Sequence, residues 1–503
     1  MNWKIIGKSL THKDMRGRIL AVLGILLVFR ILAHIPVPLS NPQTLQQVLH
    51  NLFNSSNTPQ LLNFINVLSG GALANFSIMI AGLGPYINAS IIMQLLTKAI
   101  PQLEALHKEG EFGQKKINQY TRILTLPLAI VQSVGSIYLI RQSAQSIGGI
   151  GDITANTSIM QWVLMVAALT GGSMLLMWLG ELVTEQGVGN GISLLITVGI
   201  VSRLPATIAS IANSVIDKSH KIVLFGHKLP INKGALITGA IIIVATVVVT
   251  WLVVMLNEAA RKLTVNYAKR VQGNRTYGGI TTVLPVKLIT AGVVPIIFAV
   301  AFLSVPSFVG QLLTSNHSAR LASFGQHLVT WFQQPSAQTF ATQGWHAYIY
   351  PVTYFVLVFA FTFFYTSITF NSKEIAENLQ KQGGFLEGVR SGVQTEKHLS
   401  RIVNRLTLFG AFSLGLLAIA PVIAQAFISN ASITIGGTSV LILVSVALQT
   451  LRAVESRALM VTYDQYAEPD FFYEPEAPAD AATGGRRLKF GPRLLKRAKT
   501  DKK

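Results

Sequence analysis

Ten apolar runs, each close to the length that crosses a lipid bilayer, constrain this chain more than anything else in it. They centre near 19–38, 75–97, 123–141, 159–181, 191–211, 234–256, 286–310, 347–370, 402–425 and 431–452. At 1.5 Å per residue, about 20 apolar residues in a helix match a hydrocarbon core of about 30 Å. Backbone polar groups in lipid must be satisfied within the segment, so runs of this length are read as helices. The expectation is an all-α polytopic membrane protein of about ten transmembrane helices. Only 12% of the 503 residues are charged, half of the roughly 25% usual in soluble domains. Cysteine is absent, which excludes disulfides and thiolate metal sites. Residues 1–18 carry Lys4, Lys8, Lys13, Arg16 and Arg18. They read as an amphipathic leader to a retained first helix rather than as a cleaved signal peptide.

The loops set the orientation. With the N-terminus in the cytoplasm, the inside segments hold 33 of the 41 Lys and Arg residues and the outside loops hold 7. Basic loops stay on the cytoplasmic side of a membrane, so both termini are expected there, in a multi-pass protein of the bacterial plasma membrane. The net charge of +20 is then a topology signal rather than a nucleic-acid footprint. Residues 464–480 carry six acids and no base, and 486–503 carry nine bases and one acid. Blocks of this kind predict a disordered cytoplasmic tail.

The chain also repeats itself. Ten helices divide into two sets of five, and an odd number per set inverts one half against the other. Gly82-Leu-Gly-Pro85-Tyr-Ile87 and Gly292-Val-Val-Pro295-Ile-Ile297 share Gly-x-x-Pro-x-Ile at equivalent places in the two second helices. Gly191-Ile-Ser193-Leu-Leu195-Ile196 and Gly437-Thr-Ser439-Val-Leu441-Ile442 echo each other in the two fifth helices. Inverted repeats with Gly/Pro-interrupted helices place the working site between the halves, near the midplane. The prolines are expected to kink their helices. The domain reading is an N-terminal half over 19–211, an external hinge loop over 212–233, and a C-terminal half over 234–452. Large cytoplasmic loops at 257–287 and 371–400 and a charged tail over 453–503 complete it.

Midplane chemistry is sparse. No charge lies between Ser77 and Gln94 or between Thr290 and Gly310, and Arg30 is the one clear ionisable residue within a run. Ion-coupled carriers need such residues. No catalytic set, metal site or cofactor loop is visible, and Gly187-Val-Gly-Asn-Gly191 follows a membrane helix and reads as a tight turn. The repeats instead deliver branched apolar side chains: Leu83, Ile87, Ile196, Ile297 and Ile442. At a repeat interface these can form an apolar constriction that excludes water and ions by dewetting. A small-solute transporter also suits inverted repeats, but lacks the intramembrane charges. A lipid-modifying enzyme lacks any nucleophile–base set.

Several motifs carry a closer resemblance. They are Ser69-Gly-Gly-Ala-Leu73 with Gly82-Leu-Gly-Pro-Tyr-Ile-Asn-Ala-Ser-Ile-Ile-Met-Gln94, Lys108-Glu-Gly-Glu111 with Asn118-Gln-Tyr-Thr-Arg122, and Met177-Trp-Leu-Gly-Glu181. Further on come Val265-Asn-Tyr-Ala-Lys-Arg270, Leu284-Pro-Val-Lys287, Ala291-Gly-Val-Val-Pro295, Asn404-Arg-Leu-Thr407 and Gly436-Gly-Thr-Ser439. In order and spacing, from about 15 to 465, the chain resembles the SecY family of protein-conducting channels. The resemblance implies two five-helix halves around an hourglass pore with a lateral gate, working without a cofactor and without catalysis. It places the pore ring at Leu83, Ile87, Ile196, Ile200, Ile297 and Ile442. It implies a plug near 62–75, including Asn66, Ser69, Gly70 and Gly71, and a lateral gate bearing Asn88, Gln94, Gln132 and Ile289. The cytoplasmic loops, through Lys269, Arg270, Arg275 and Arg390, would dock the SecA motor ATPase or a translating ribosome. Small SecE-like and SecG-like subunits, signal sequences, nascent membrane proteins and the surrounding lipid are the other implied partners. Three departures stand out: Ile289 replaces a family Asn at the gate, Arg390-Ser-Gly392 replaces Arg-Pro-Gly, and the tail is longer than the family pattern and strongly charged.

Overall fold

The computed structural model describes residues 13–37, 69, 71–73, 76–146, 158–215, 222–224, 227–229, 233–267, 270–272, 275–277, 279, 281–314, 318–335, 339–340, 344–427 and 431–467. Among the described residues, ten long helices overlap the ten apolar runs. They are α1 (Lys13–Leu32), α2 (Gly84–Ala99), α4 (Glu111–Ser146), α5 (Ile159–Glu185), α6 (Gly191–Val215), α7 (Lys233–Glu258), α8 (Val294–Thr314), α10 (Ile349–Thr369), α12 (Val393–Phe427) and α13 (Ala431–Ala467). Shorter helices α3 (Pro101–Lys108), α9 (Ala319–Phe332) and α11 (Ser372–Lys381) sit between them. Six of the long helices meet both the length and the hydropathy of a membrane span among the described residues. The protein is a helical, multi-pass membrane protein. Its last helix runs to Ala467, past Asp464, where the tail was expected to leave helical structure; 468–503 lie outside the described residues.

Both second helices begin later than their apolar runs suggest. Residues 76–83 and 288–293 are not helical, and Pro85 and Pro295 fall in the first turn of α2 and α8. A proline in the first turn forfeits no helical hydrogen bond and has φ preset for the helix. Neither proline therefore kinks an established helix as expected; each opens one. Three residues before each stands a glycine in the left-handed region, Gly82 at φ 61° and Gly292 at φ 63°, a conformation open to glycine at little cost.

The covering of these two stretches also repeats. The Ile78 amide donates to the Ile35 carbonyl just beyond α1 (3.0 Å), and the Leu288 amide donates to the Ala259 carbonyl just beyond α7 (2.9 Å). On the other side, a Cβ at Gly172 of α5 would lie 2.0 Å from the Ile78 carbonyl oxygen, and one at Gly410 of α12 would lie 2.5 Å from that of Leu288. In each half, then, the end of the first helix and a glycine of the fourth enclose the backbone that precedes the second. The inverted repeat legible as two short motifs extends to four helices per half.

The loops 257–287 and 371–400 are more ordered than an all-helical reading allows. Strands β3 (Ala260–Tyr267) and β6 (Thr281–Lys287) pair antiparallel, from Ala260 opposite Lys287 to Asn266 opposite Thr281. β7 (Gly384–Leu386), from the loop 371–400, joins β3 on its other edge, with Val265 opposite Leu386. The inner face buries Leu263, Val265, Val286 and Leu386 against Leu379 of α11 and Leu399, Ile402 and Val403 of α12. Two loops distant in sequence thus form one platform. The small hairpins β1–β2 (Ile222–Leu224, His227–Leu229) and β4–β5 (Arg270–Gln272, Arg275–Tyr277) lie in the connection between α6 and α7 and between strands β3 and β6.

Gly292→Ala tests the left-handed turn. A Cβ there would stand 1.9 Å from Nε2 of Gln449, and a non-glycine residue at this φ costs about 1–2 kcal/mol. A lower melting temperature is expected, with partial recovery in Gly292→Ala/Gln449→Ala because only the clash is relieved. An unchanged melting temperature would show that the turn is not required.

Candidate functional site

The two opened helices aim their first turns at a common centre. Leu83, Ile87, Ile196, Ile200 and Ile297 are 1–7% exposed, and all belong to one apolar cluster against which Ile442 packs. They come from the start of α2, from α6, from the start of α8 and from α13, so both halves contribute. Gly82 and Pro85 direct Leu83 and Ile87 inward, while Gly292 and Pro295 do the same for Ile297. Ile196 sits at the start of α6 because the turn before that helix is stapled: Asn190 Oδ1 accepts from the amides of Ile192 (3.1 Å) and Ser193 (3.3 Å). Gly187 and Gly189 have positive φ in that stretch, which is the tight turn expected between α5 and α6.

Around this centre α8 is held on two sides. Towards α10, Phe298 meets Phe361 and Tyr365 edge-on at 6.2 and 6.3 Å, and Phe302 meets Phe361 at 6.1 Å. Towards α4, the Phe308 ring fills the space above Gly135, where a Cβ would lie 1.8 Å from it. α2 packs on both α4 and α8. The seam between the halves is therefore closed by apolar contact.

The polar residues expected at the gate occupy varied places. Asn88, Gln94 and Gln132 are half-buried. Gln94 Nε2 donates to Ser90 Oγ on its own helix (3.1 Å), and its buried Oε1 has no hydrogen-bond partner. The Gln132 amide lies over Gly84, where a Cβ would meet its Nε2 at 2.7 Å. Among the described residues no hydrogen bond joins the three. Ile289 is 4% exposed in the central cluster, with Cγ1 beside Gly410. Of the residues expected in a plug, Ser69 is fully buried and Gly71 has φ 88°; Asn66 and Gly70 lie outside the described residues. Of the residues expected to dock a partner, Arg270 and Arg275 lie on β4 and β5, and Lys269 is outside the described residues. The Arg390 carbonyl accepts from Thr395 Oγ1 (2.8 Å), tying the loop that carries it to the start of α12.

Sequence reasoning missed several ties. Arg122 and Glu181 form a two-bond ion pair between α4 and α5, with Nε to Oε1 at 3.0 Å and Nη2 to Oε2 at 2.7 Å. In the second half, Arg452 of α13 bonds both Glu258 and the Asn257 carbonyl at the end of α7. Burial pushes the nearby Lys287 ammonium below the usual lysine range; Arg452 adds to this and Glu258 opposes it. Which cation meets which carboxylate depends on helix neighbours that a single sequence does not display.

Residues 77–451 match the model of the SecY family. The chain is 39% identical over 458 residues to the protein translocase subunit SecY of Streptomyces galbus, covering 90% of this chain and 97% of that one. It belongs to the SecY family. Among solved structures, a protein-conducting channel matches with TM-score 0.59 and 18% identity, over 89% of this chain and 94% of that one. Sec61 in a canine ribosome–channel complex from the endoplasmic reticulum matches with TM-score 0.56 and the same identity and coverage. At that identity the likeness concerns the fold, and it extends over nearly the whole SecY-family chain.

Removing Arg122 with Gln leaves the Glu181 carboxylate, 14% exposed, without its partner. A destabilisation on the order of 2 kcal/mol is expected, below the value for a fully buried pair because Arg122 is itself partly solvated. Glu181→Gln in the same chain should recover most of it in a double-mutant unfolding cycle. Independent, additive losses would show that the pair does not couple α4 to α5.

Proposed function

We propose that this chain is the channel subunit of a protein translocase, passing unfolded polypeptides across a bacterial plasma membrane and releasing hydrophobic segments sideways into lipid. The observation that carries the reading is the meeting of Leu83, Ile87, Ile196, Ile200 and Ile297, drawn from both halves, in one buried cluster with Ile442 packed against it. A ring of flexible aliphatic side chains offers no fixed polar partner, so it discriminates little among passing residues. At rest it excludes water and ions by dewetting.

The energetics of the substrate fit this division. A charged side chain costs about 2.5–3.5 kcal/mol at the centre of the bilayer, so four such residues bar a segment from crossing unaided. A signal segment gains about 0.3–0.6 kcal/mol for each apolar residue entering lipid, enough over ten residues to favour leaving sideways. The way out is the seam of α2 and α4 against α8 and α10. There Asn88, Gln94 and Gln132 set how hydrophobic a signal must be to part the helices, and the segment around Ser69 and Gly71 is the plug displaced as they part. Driving energy comes from outside this chain. The cytoplasmic platform, with Arg270, Arg275 and Arg390, is the docking surface for a SecA-type motor or a ribosome. SecE-like and SecG-like subunits complete the complex, and both termini face the cytoplasm.

Ile87→Gly/Ile297→Gly tests the ring. In planar bilayers the purified complex is expected to pass a resting ion current absent from the parent, while pairs of lipid-facing substitutions such as Trp251→Gly/Phe412→Gly should not. No added current from the ring pair would place the constriction elsewhere.

A further inference from the structure

The segment that follows the last helix has a composition unlike the rest of the chain. After α13 ends at Ala467 comes Glu468-Pro-Asp-Phe-Phe-Tyr-Glu-Pro-Glu476, and residues 464–480 hold six acids and no base. The segment lies beyond residues 77–451, where the chain matches the family model, so the shared fold does not require it. In an extended chain alternate residues share a face. That form, which Pro469 and Pro475 favour, groups Glu468, Asp470, Phe472, Glu474 and Glu476 on one side.

A surface of opposite charge lies on the neighbouring helix. The first turns of α12 bury Leu399, Ile402 and Val403 beneath the β3–β6–β7 platform and expose Lys397, Arg401 and Arg405 on another face. At four-residue spacing these cations form a column about 12 Å long. None of them is ion-paired among the described residues. They line an open groove of about 740 Å³ that Phe363 of α10 and Leu408 complete on the apolar side. That is the size of a ligand cleft, about 300–1,000 Å³. Glu396 is the one carboxylate in its lining, so the groove is left with an excess of positive charge.

Spacing and reach agree. Asp470 and Glu474 stand about 13 Å apart in an extended chain at 3.3 Å per residue, close to the span from Lys397 to Arg405. Lys397 is 30 residues before the end of α12 at Phe427, and Ala467 is 36 residues after the start of α13 at Ala431. The two helices pack on each other, so α13 ends about six residues, or 9 Å, beyond the level of Lys397. From there three extended residues, about 10 Å, together with a lysine side chain bring Asp470 to the head of the column.

We propose that Glu468–Glu476 of this chain docks in the α12 groove, with Asp470 on Lys397, Glu474 on Arg405, and Phe472 between the Arg401 guanidinium and Phe363. Being tethered, the segment is present at an effective concentration on the order of millimolar, which favours it over a free anionic competitor of similar affinity. A partner seated on the platform then meets an acidic cover on α12 that it must displace, a consequence that rests on the docking role proposed above.

The test is photo-crosslinking in the purified full chain, with benzoylphenylalanine in place of Tyr473 and the linked peptides read by mass spectrometry. It needs no translocation, so its failure is distinguishable from failure of the channel reading. Links are expected within 396–408 and at Phe363. Lys397→Gln/Arg401→Gln/Arg405→Gln should lower their yield about tenfold, as should Asp470→Asn/Glu474→Gln, since two or three partly solvated ion pairs are lost. The charge-preserving Lys397→Arg/Arg401→Lys/Arg405→Lys should stay within a few-fold of the parent, which separates loss of charge from loss of fold. Lys115→Gln/Lys116→Gln, on α4, should leave the yield unchanged. Equal yields in the parent and the triple glutamine variant would overturn the proposal. So would links made instead to residues 486–503, to lipid or to a second copy of the chain.

Discussion

A backbone group without a partner inside hydrocarbon costs several kcal/mol, and this chain carries two non-helical stretches, 76–83 and 288–293, within its helical body. Much of the rest of the architecture follows from covering them. Each borrows a carbonyl from the end of the first helix of its half, Ile35 or Ala259. Each presses its own carbonyl against a fourth-helix glycine, Gly172 or Gly410. Side chains at those glycines would push the stretches away from the helices that enclose them. With them enclosed, α2 and α8 begin deep in the protein, and their first turns deliver Leu83, Ile87 and Ile297 to the same place.

A closed apolar centre and an adaptable one are the same object seen under different loads. The central cluster is continuous from Phe29 of α1 to Val446 of α13, so at rest the halves share one core. The contacts across the seam are nonetheless of a kind that can be exchanged: a phenylalanine over a glycine at Phe308 and Gly135, and aliphatic side chains without directional bonds. Directional bonds are found away from the seam, in Arg122–Glu181 within the first half and Arg452–Glu258 within the second. Each of these ion pairs ties a half to itself.

The ten helices and the equivalence of Ile87 with Ile297 were legible because hydropathy runs and Gly-x-x-Pro-x-Ile are local signals. The start of each second helix was not. Residues 76–83 and 288–293 are as apolar as the helices they precede, so hydropathy merges them, and only the later glycine, at Gly82 or Gly292, marks the break. The platform was missed for a related reason. Leu263, Val265 and Tyr267 alternate as a strand should, but the third strand is three residues from a loop more than 100 positions away. The glycines that admit neighbours, Gly135, Gly172 and Gly410, carry no sign in sequence of what they admit.

The chain has no cysteine, so single thiols can be placed at will, and disulfide capture of a secretory polypeptide arrested in transit tests the central claim most directly. Thiols at Leu83, Ile87, Ile196 and Ile297 should all capture the same short stretch of that polypeptide, while thiols at Trp251 and Phe412, which face lipid, should capture none of its polar part. Capture at the lipid-facing positions, with none at the four central ones, would contradict a passage through the aliphatic cluster.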